Sequence, residues 1–405
     1  MPELKEVIIS ITNRCNARCR MCDIYDQRTE ELATSSWEKV IRDALALEVE
    51  TIVFSGGEPL LREDILELIS FVKNNRMKVC ITSNGYFLNE EMASKLTQVG
   101  VDVVNISVEG PPGIHDYLRG ADSLNRAVSA LENLKKYNIE STIATVVSNY
   151  NYRYLMYIVE LAKKYGATTI KFQPFSEIFL SNGNRIEEFM IPAAAKEELS
   201  SAVNKAANLC SEYGITTNPR GYLERIPVYL THKKYRSHNF CAAILTSCPI
   251  DAAGTVYPCW FITDRDNQIG NIKENSLLSM WSSKRRASII EKIKKNGCPG
   301  CMMSCYDENF GKESVELRIA VNVNRIRKKG LYEYSKRLLK KLVKRIKFYM
   351  AYRGSPKIFI GRLKKLAINK KSLPQGLIDQ KEIRRALEEI NETKRIFERE
   401  VKNLK

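Results

Sequence analysis

The strongest constraint on this chain is an alternation. Six short, β-branched runs, at residues 7–12, 51–54, 79–82, 103–108, 142–147 and 169–172, are separated by helix-length stretches with apolar residues every three or four positions, at 37–47, 64–74, 90–99, 124–137 and 152–165. Strands separated by single helices predict a parallel sheet with right-handed crossovers, and six of them curl into a full or partial barrel. In such a sheet the chemistry sits on loops at the carboxyl ends of the strands. The unusual residues fall in those loops: three cysteines after the first run, SGGEP (55–59) after the second, TSNG (82–85) after the third and SVEG (107–110) after the fourth.

The chain has 405 residues and 11 cysteines, nine of them in two regions. A disulfide framework belongs to small secreted domains, so this usage points to metal binding. The first cluster, TNRCNARCRMC, places Cys15, Cys19 and Cys22 in a C-x3-C-x2-C spacing. Four protein ligands close a site, whereas three leave a coordination position open for a substrate or cofactor. The spacing suits three irons of a cubane with the fourth iron open. A zinc knuckle completed by a distant fourth ligand is the alternative.

Taken together, C-x3-C-x2-C after the first strand, GGEP after the second and the S-x-x-G…HD-x-x-RG stretch after the fourth resemble the radical S-adenosylmethionine (SAM) enzymes, in the branch with a cysteine-rich extension called SPASM or twitch. The resemblance covers about residues 5 to 310 and implies a partial (β/α)6 TIM-like barrel, a small cysteine-rich α+β auxiliary-cluster domain and a basic helical C-terminal extension. The expected boundaries are 1–215, 216–315 and 316–405. By resemblance, Cys15, Cys19 and Cys22 ligate a [4Fe–4S] cluster whose open iron binds SAM. Gly56, Gly57, Glu58 and Pro59 match the motif that holds the SAM amino group, with Glu58 as an acceptor for the ammonium. Ser83 and Asn84 lie where the family contacts ribose or methionine, and Ser107 and Arg119 match positions associated with the SAM carboxylate. His115 and Asp116 are read as ordering the loop. Two positions depart from the pattern: Glu109 replaces an Asp before Gly, and Met21 replaces an aromatic before the last cysteine.

The second region runs from CAAILTSCPIDAAGTVYPCW (241–260) to CPGCMMSC (298–305). In the family, a cysteine, then G-x4-C, then C-x2-C marks an auxiliary [4Fe–4S] cluster. One such cluster is expected, held by Cys241, Cys259, Cys298 and Cys301, with Cys305 as the rival fourth ligand. Cys248 reads as a core residue in the first strand of a hairpin, and Cys80 and Cys210 as buried small hydrophobes. A cluster with every position filled by protein moves an electron or is structural. The acid found after the G-x4-C cysteine in sulfatase-maturing relatives is here Trp260, with Asp264 and Asp266 nearby.

Residues 325–371 hold 18 Lys and Arg against one acid, Glu333, which equals the whole chain's net charge of +17. Residues 331–349 read as a basic amphipathic helix, suited to an anionic lipid surface, to RNA phosphates or to a solvated face packed on the barrel, with nucleic acid least favoured. Residues 383–404 carry a 4-3-4-3 spacing that forms a short coiled coil or docks within the chain. With no signal sequence or apolar span visible, the expected location is cytoplasmic or peripheral at the inner membrane surface. The activity implied is reductive cleavage of SAM to a 5′-deoxyadenosyl radical that takes hydrogen from a substrate, with an electron donor such as flavodoxin or ferredoxin. The substrate guess is a lipid, lipid-linked glycan or nucleotide sugar. A ribosomal-peptide substrate is the alternative, disfavoured by a chain that starts on its first strand. A zinc-stabilised, non-catalytic RNA- or membrane-binding protein is the rival from another class.

Overall fold

The structure is a computed structural model that describes residues 4–27, 29–181, 183–231, 241, 243–297 and 300–303. Its frame is six parallel strands, β1 (Glu6–Thr12), β2 (Thr51–Gly56), β3 (Lys78–Ser83), β4 (Val103–Ser107), β5 (Glu140–Val147) and β6 (Thr169–Pro174), paired in sequence order. Between them run α1 (Thr34–Ala46), α2 (Ile65–Asn74), α3 (Glu90–Gln98), α4 (Pro112–Arg119), α5 (Ser123–Lys136) and α6 (Leu155–Tyr165). The alternation read from sequence is therefore the observed architecture, with ends differing by a few residues.

Period 2 along each strand decides what each face does. Val7, Ile9 and Ile11 of β1, Ile52 and Phe54 of β2, Val79 and Ile81 of β3, and Val104 and Ile106 of β4 are fully buried. These apolar positions meet the apolar stripes of the helices, such as Trp37, Val40, Ile41 and Ala44 of α1 and Leu68, Ile69 and Val72 of α2. Burying one such side chain is worth about 1.5–3 kcal/mol, so this shell carries the stability of the frame. The alternate positions, Ser10, Ser55, Cys80, Thr82, Asn105 and Ser107, line an internal cavity.

α4 was not legible in the helical periodicity, because Pro111, Pro112 and Gly113 open it. A proline at the first helical turn loses no hydrogen bond there, so the eight-residue helix forms and ends at Gly120 (φ 114°). The other addition lies in the cysteine-rich part. β7 (Ser247–Ile250) pairs parallel to β1, Glu6 against Ser247 through Ile9 against Ile250, and is followed by antiparallel β8 (Thr255–Val256) and β9 (Gly270–Asn271). The hairpin expected around Cys248 is present, and it continues the barrel sheet. The resulting order is β6-β5-β4-β3-β2-β1-β7-β8-β9.

Among the described residues no helix is long and apolar enough to cross a membrane. The basic helix expected at 331–349, the 383–404 spacing and the ligands Cys298 and Cys305 lie outside the described residues.

Candidate active site

The cysteine loop leaves β1 at Thr12 and is fixed from below by the turn after β2. Gly57 N–H donates to Thr12 O at 2.7 Å and Glu58 N–H to Arg14 O at 2.8 Å. A Cβ on Gly57 would lie 2.1 Å from Arg14 O, so only glycine permits this backbone approach. The loop is pinned at its far end too: Arg20 N–H donates to Leu118 O of α4 at 2.9 Å, Asp23 N–H to Phe179 O at 2.7 Å, and the Asp23 carboxylate pairs with Arg185. Arg20 stacks over Tyr117, 4.0 Å from the ring centre.

Cys19 is buried, and Cys15 and Cys22 are half-buried. Burial pushes all three thiols up, Cys22 to about 11; each thiol feels a neighbouring cysteine or carboxylate in the same sense, and the Arg119 charge draws each of them back down. One Arg119 Nη lies 3.8 Å from Cys19 Sγ. Three thiols on one loop beside a fixed guanidinium, which offsets the charge of a thiolate, are a donor set suited to an iron–sulfur cluster.

Arg119, the last residue of α4, is oriented by Glu109. Its Nε and Nη2 donate to Glu109 Oε1 at 2.8 and 2.6 Å, while Glu109 Oε2 accepts from Val146 N–H at 2.8 Å. Burial alone would lower the Arg119 pKa; the Glu109 charge and the cysteines hold it above its ordinary value. Glu109, noted in the sequence only as a departure from Asp, is thus the counter-ion of the site. His115 Nδ1 accepts from Glu109 N–H at 3.0 Å and Asn151 Nδ2 donates to Glu109 O at 2.9 Å, so the loop after β4 is held on both sides. Burial, with the Arg119 charge, pushes His115 down to about 3, leaving a neutral acceptor. Asp116 Oδ1 caps α5 through Leu124 N–H at 2.9 Å. The ordering role read for both residues matches these bonds.

Glu58, read as an acceptor for the SAM ammonium, already accepts three internal hydrogen bonds. Its carboxylate is wholly buried and accepts from Leu60 N–H (3.1 Å), Ser83 Oγ (2.9 Å) and Asn84 N–H (2.8 Å). Burial pushes it up to about 7, and the donors pull it back. Glu58 and Ser83 therefore brace the β2 and β3 loops against each other, and Pro59 is buried in the same turn. Asn84 Nδ2 reaches Asn16 Oδ1 of the cysteine loop at 2.9 Å. Gly56, Ser107 and Arg119 line the cavity, of about 320 Å³, that opens under this rim.

The cysteine-rich part reaches the same cavity, since Trp260 and Met303 line it. Cys259 and Cys301 are brought together: a hydrogen bond from Cys301 lowers the Cys259 pKa despite burial. Cys241 is buried, and Cys248 is wholly buried on β7 beside Arg286, in keeping with a core role. Cys210 is buried in the helix Lys196–Glu212. Cys80 departs from its expected place in the apolar core. It is half-buried, lines the cavity and accepts from Asn105 Nδ2 at 3.2 Å. Asp264 caps its own turn by accepting from Asn267 N–H at 3.2 Å. Asn105 and Lys171, both cavity-lining, were missed in the sequence; strand parity, which sets polar residues at alternate positions of β4 and β6, was the available signal.

Comparison with known proteins gives concordant matches. The family model described as radical SAM superfamily matches residues 9–162, and the SPASM model, described as an iron–sulfur cluster-binding domain, matches residues 241–306. An AdoMet-dependent heme synthase of Methanosarcina barkeri is 25% identical over 321 residues, covering 73% of this chain and 90% of that protein. The mycofactocin maturase MftC of Mycobacterium ulcerans is 27% identical over 310 residues, covering 74% and 80%. Among solved structures, Streptococcus suis SuiB bound to S-adenosylmethionine superposes with a TM-score of 0.58 at 17% identity, over 70% of this chain and 66% of SuiB, a likeness of fold.

Proposed function

This chain belongs to the radical SAM superfamily, in the SPASM branch that binds SAM at a [4Fe–4S] cluster and carries auxiliary iron–sulfur binding, and from that premise we propose that it takes a hydrogen atom from a substrate held in the barrel cavity. When bound, the reduced cluster would supply the one electron that splits the sulfur–C5′ bond of SAM into methionine and a 5′-deoxyadenosyl radical. Cys15, Cys19 and Cys22 would hold that cluster. Arg119, kept charged by Glu109, offers its guanidinium to the SAM carboxylate beside Ser107. Gly56 and Gly57 leave room for the methionine end, while the Glu58 to Ser83 and Asn84 bonds keep the rim in one arrangement. Trp260 and Met303 shield the cavity from water, which protects a reactive intermediate. Cys241, Cys259, Cys301 and Cys298 or Cys305 would hold one auxiliary cluster, suited to a redox-changing reaction fed by a flavodoxin or ferredoxin.

The observation that carries this reading is that the three-cysteine loop, the Arg119 guanidinium 3.8 Å from Cys19 and the polar cavity meet at one rim. Anaerobically reconstituted protein, given dithionite and SAM, should make 5′-deoxyadenosine; a preparation with full iron content that makes none, with or without substrate candidates, refutes it. Colourless protein with stoichiometric zinc would favour the non-catalytic rival instead.

Two substrate classes divide the reading. A lipid-linked glycan or nucleotide sugar is the first, with the basic segment 325–371 as a contact for anionic lipid. Liposome flotation with and without residues 325–405 tests that contact, and equal recovery removes it. A peptide is the second, favoured by the similarity to a mycofactocin maturase. Comparing metabolites and peptides of a wild-type and a Cys15→Ala strain separates them: a small molecule that accumulates supports the first, a peptide left unmodified the second.

A further inference from the structure

The interior of a closed (β/α) barrel is normally filled by bulky branched side chains. Here several inward positions are small and polar, Ser10, Ser55, Thr82, Asn105 and Ser107, beside apolar ones such as Ile8, Val53 and Val146, and together they leave the cavity of about 320 Å³. Two of its lining residues carry a polar group without a partner among the described residues. Asn105 is buried, and its Oδ1 makes no hydrogen bond, although its Nδ2 reaches Cys80 Sγ at 3.2 Å and Thr82 Oγ1 at 3.1 Å. With the amide's oxygen and nitrogen exchanged, the Cys80 and Thr82 hydrogens are donated to the oxygen and the amine is left free to donate to an oxyanion.

Lys171, on β6, is the second. Among the described residues it enters no hydrogen bond or ion pair, while the cavity's other cation, Arg119, is engaged by Glu109. The cavity's carboxylate, Glu6, accepts from Ser247 Oγ at 2.6 Å. At the Cys80 thiol the Lys171 charge is the largest single one, opposed by those of Glu6 and Asp102.

We propose that this cavity recognises a polar substrate by an oxyanion, a carboxylate or a phosphate, set against Lys171 Nζ with the Asn105 amide beside it. The assignment rests on the reading above that the substrate enters the barrel. It selects an anionic end group for the Lys171 and Asn105 side of the cavity, where an apolar group would cost the polar atoms their water without replacement, and leaves Ile8, Val53 and Val146 for apolar parts of the substrate.

Cys80 provides a reporter inside the cavity. In reconstituted full-length holoenzyme, Cys80 labelling is followed by peptide mass spectrometry with neutral iodoacetamide and anionic iodoacetate. Relative to wild type, Lys171→Gln should lower the iodoacetate-to-iodoacetamide rate ratio several-fold, Lys171→Arg should restore it, and Lys95→Gln on the outer face of α3 should leave it unchanged. Inorganic phosphate or acetate should slow Cys80 labelling in wild type and not in Lys171→Gln; protection by phosphate alone names a phosphate, and by acetate alone a carboxylate. A ratio unaffected by Lys171→Gln, or protection by neither anion, overturns the proposal. 5′-Deoxyadenosine formation is measured on the same wild-type preparation: its absence would refute the radical SAM activity while leaving the labelling result to be read by itself.

Discussion

Lowering pH should weaken the loop after β4 through His115 in a way the structure quantifies. The buried imidazole accepts from Glu109 N–H at 3.0 Å and is pushed down to about 3, first by burial and then by Arg119. In the unfolded chain it takes a proton near about 6.5. Between those values the unfolded state binds the extra proton, so His115 stabilises the fold fully above about pH 6.5, and that contribution is lost as pH falls toward 3. At pH 5 the loss is about 2 kcal/mol, and it grows by about 1.4 kcal/mol per further unit. His115→Gln keeps an oxygen that can accept from Glu109 N–H and cannot titrate. Urea unfolding of both proteins at pH 7 and pH 5 isolates the term, because every other titrating group is shared. The wild type should lose about 2 kcal/mol more than the variant between the two pH values. Equal losses, within about 0.5 kcal/mol, would refute the assignment of a buried neutral His115.

Removing the Glu109 charge should be costly, since Arg119 would be left buried beside cysteines without its carboxylate. Glu109→Gln is expected to destabilise by about 3–5 kcal/mol and to weaken SAM binding, read by equilibrium dialysis; unchanged stability would show that the pair is not the anchor of the site. Gly57→Ala should destabilise by about 1–3 kcal/mol and lower iron incorporation into the first cluster, because its Cβ would meet Arg14 O at 2.1 Å. Cys259→Ala should reduce iron content by about one cubane's worth, whereas Cys248→Ala, removing a wholly buried β7 thiol, should leave iron content at wild-type level. Iron and sulfide analysis of the two variants decides, and equal loss in both would make Cys248 a ligand.

Much of this was readable from the chain as text. Hydrophobic period 3.6 and β-branched runs are local signals, and the six-strand alternation follows from them because each strand and helix must bury one face. The cysteine spacings are also local, since ligands within eight positions share one loop whatever surrounds it. α4 escaped because its start is written in prolines rather than in periodicity, and the pairing of β7 with β1 escaped because a four-residue strand has no pattern long enough to name its partner.

What tertiary structure alone decided are the meetings between distant segments and the side of the sheet that faces inward. Glu109 and Arg119 are ten residues apart and meet only because α4 folds back over the end of β4. Glu58 matches a motif for holding an amino group, and the approach of the β3 loop adds the Ser83 and Asn84 donors to that of Leu60, so its carboxylate also braces the two loops. Cys80 looks like a core residue by composition. Strand parity pairs it with Asn105 and Lys171, and only the curvature of the sheet determines that this parity encloses a polar cavity rather than packing against a helix.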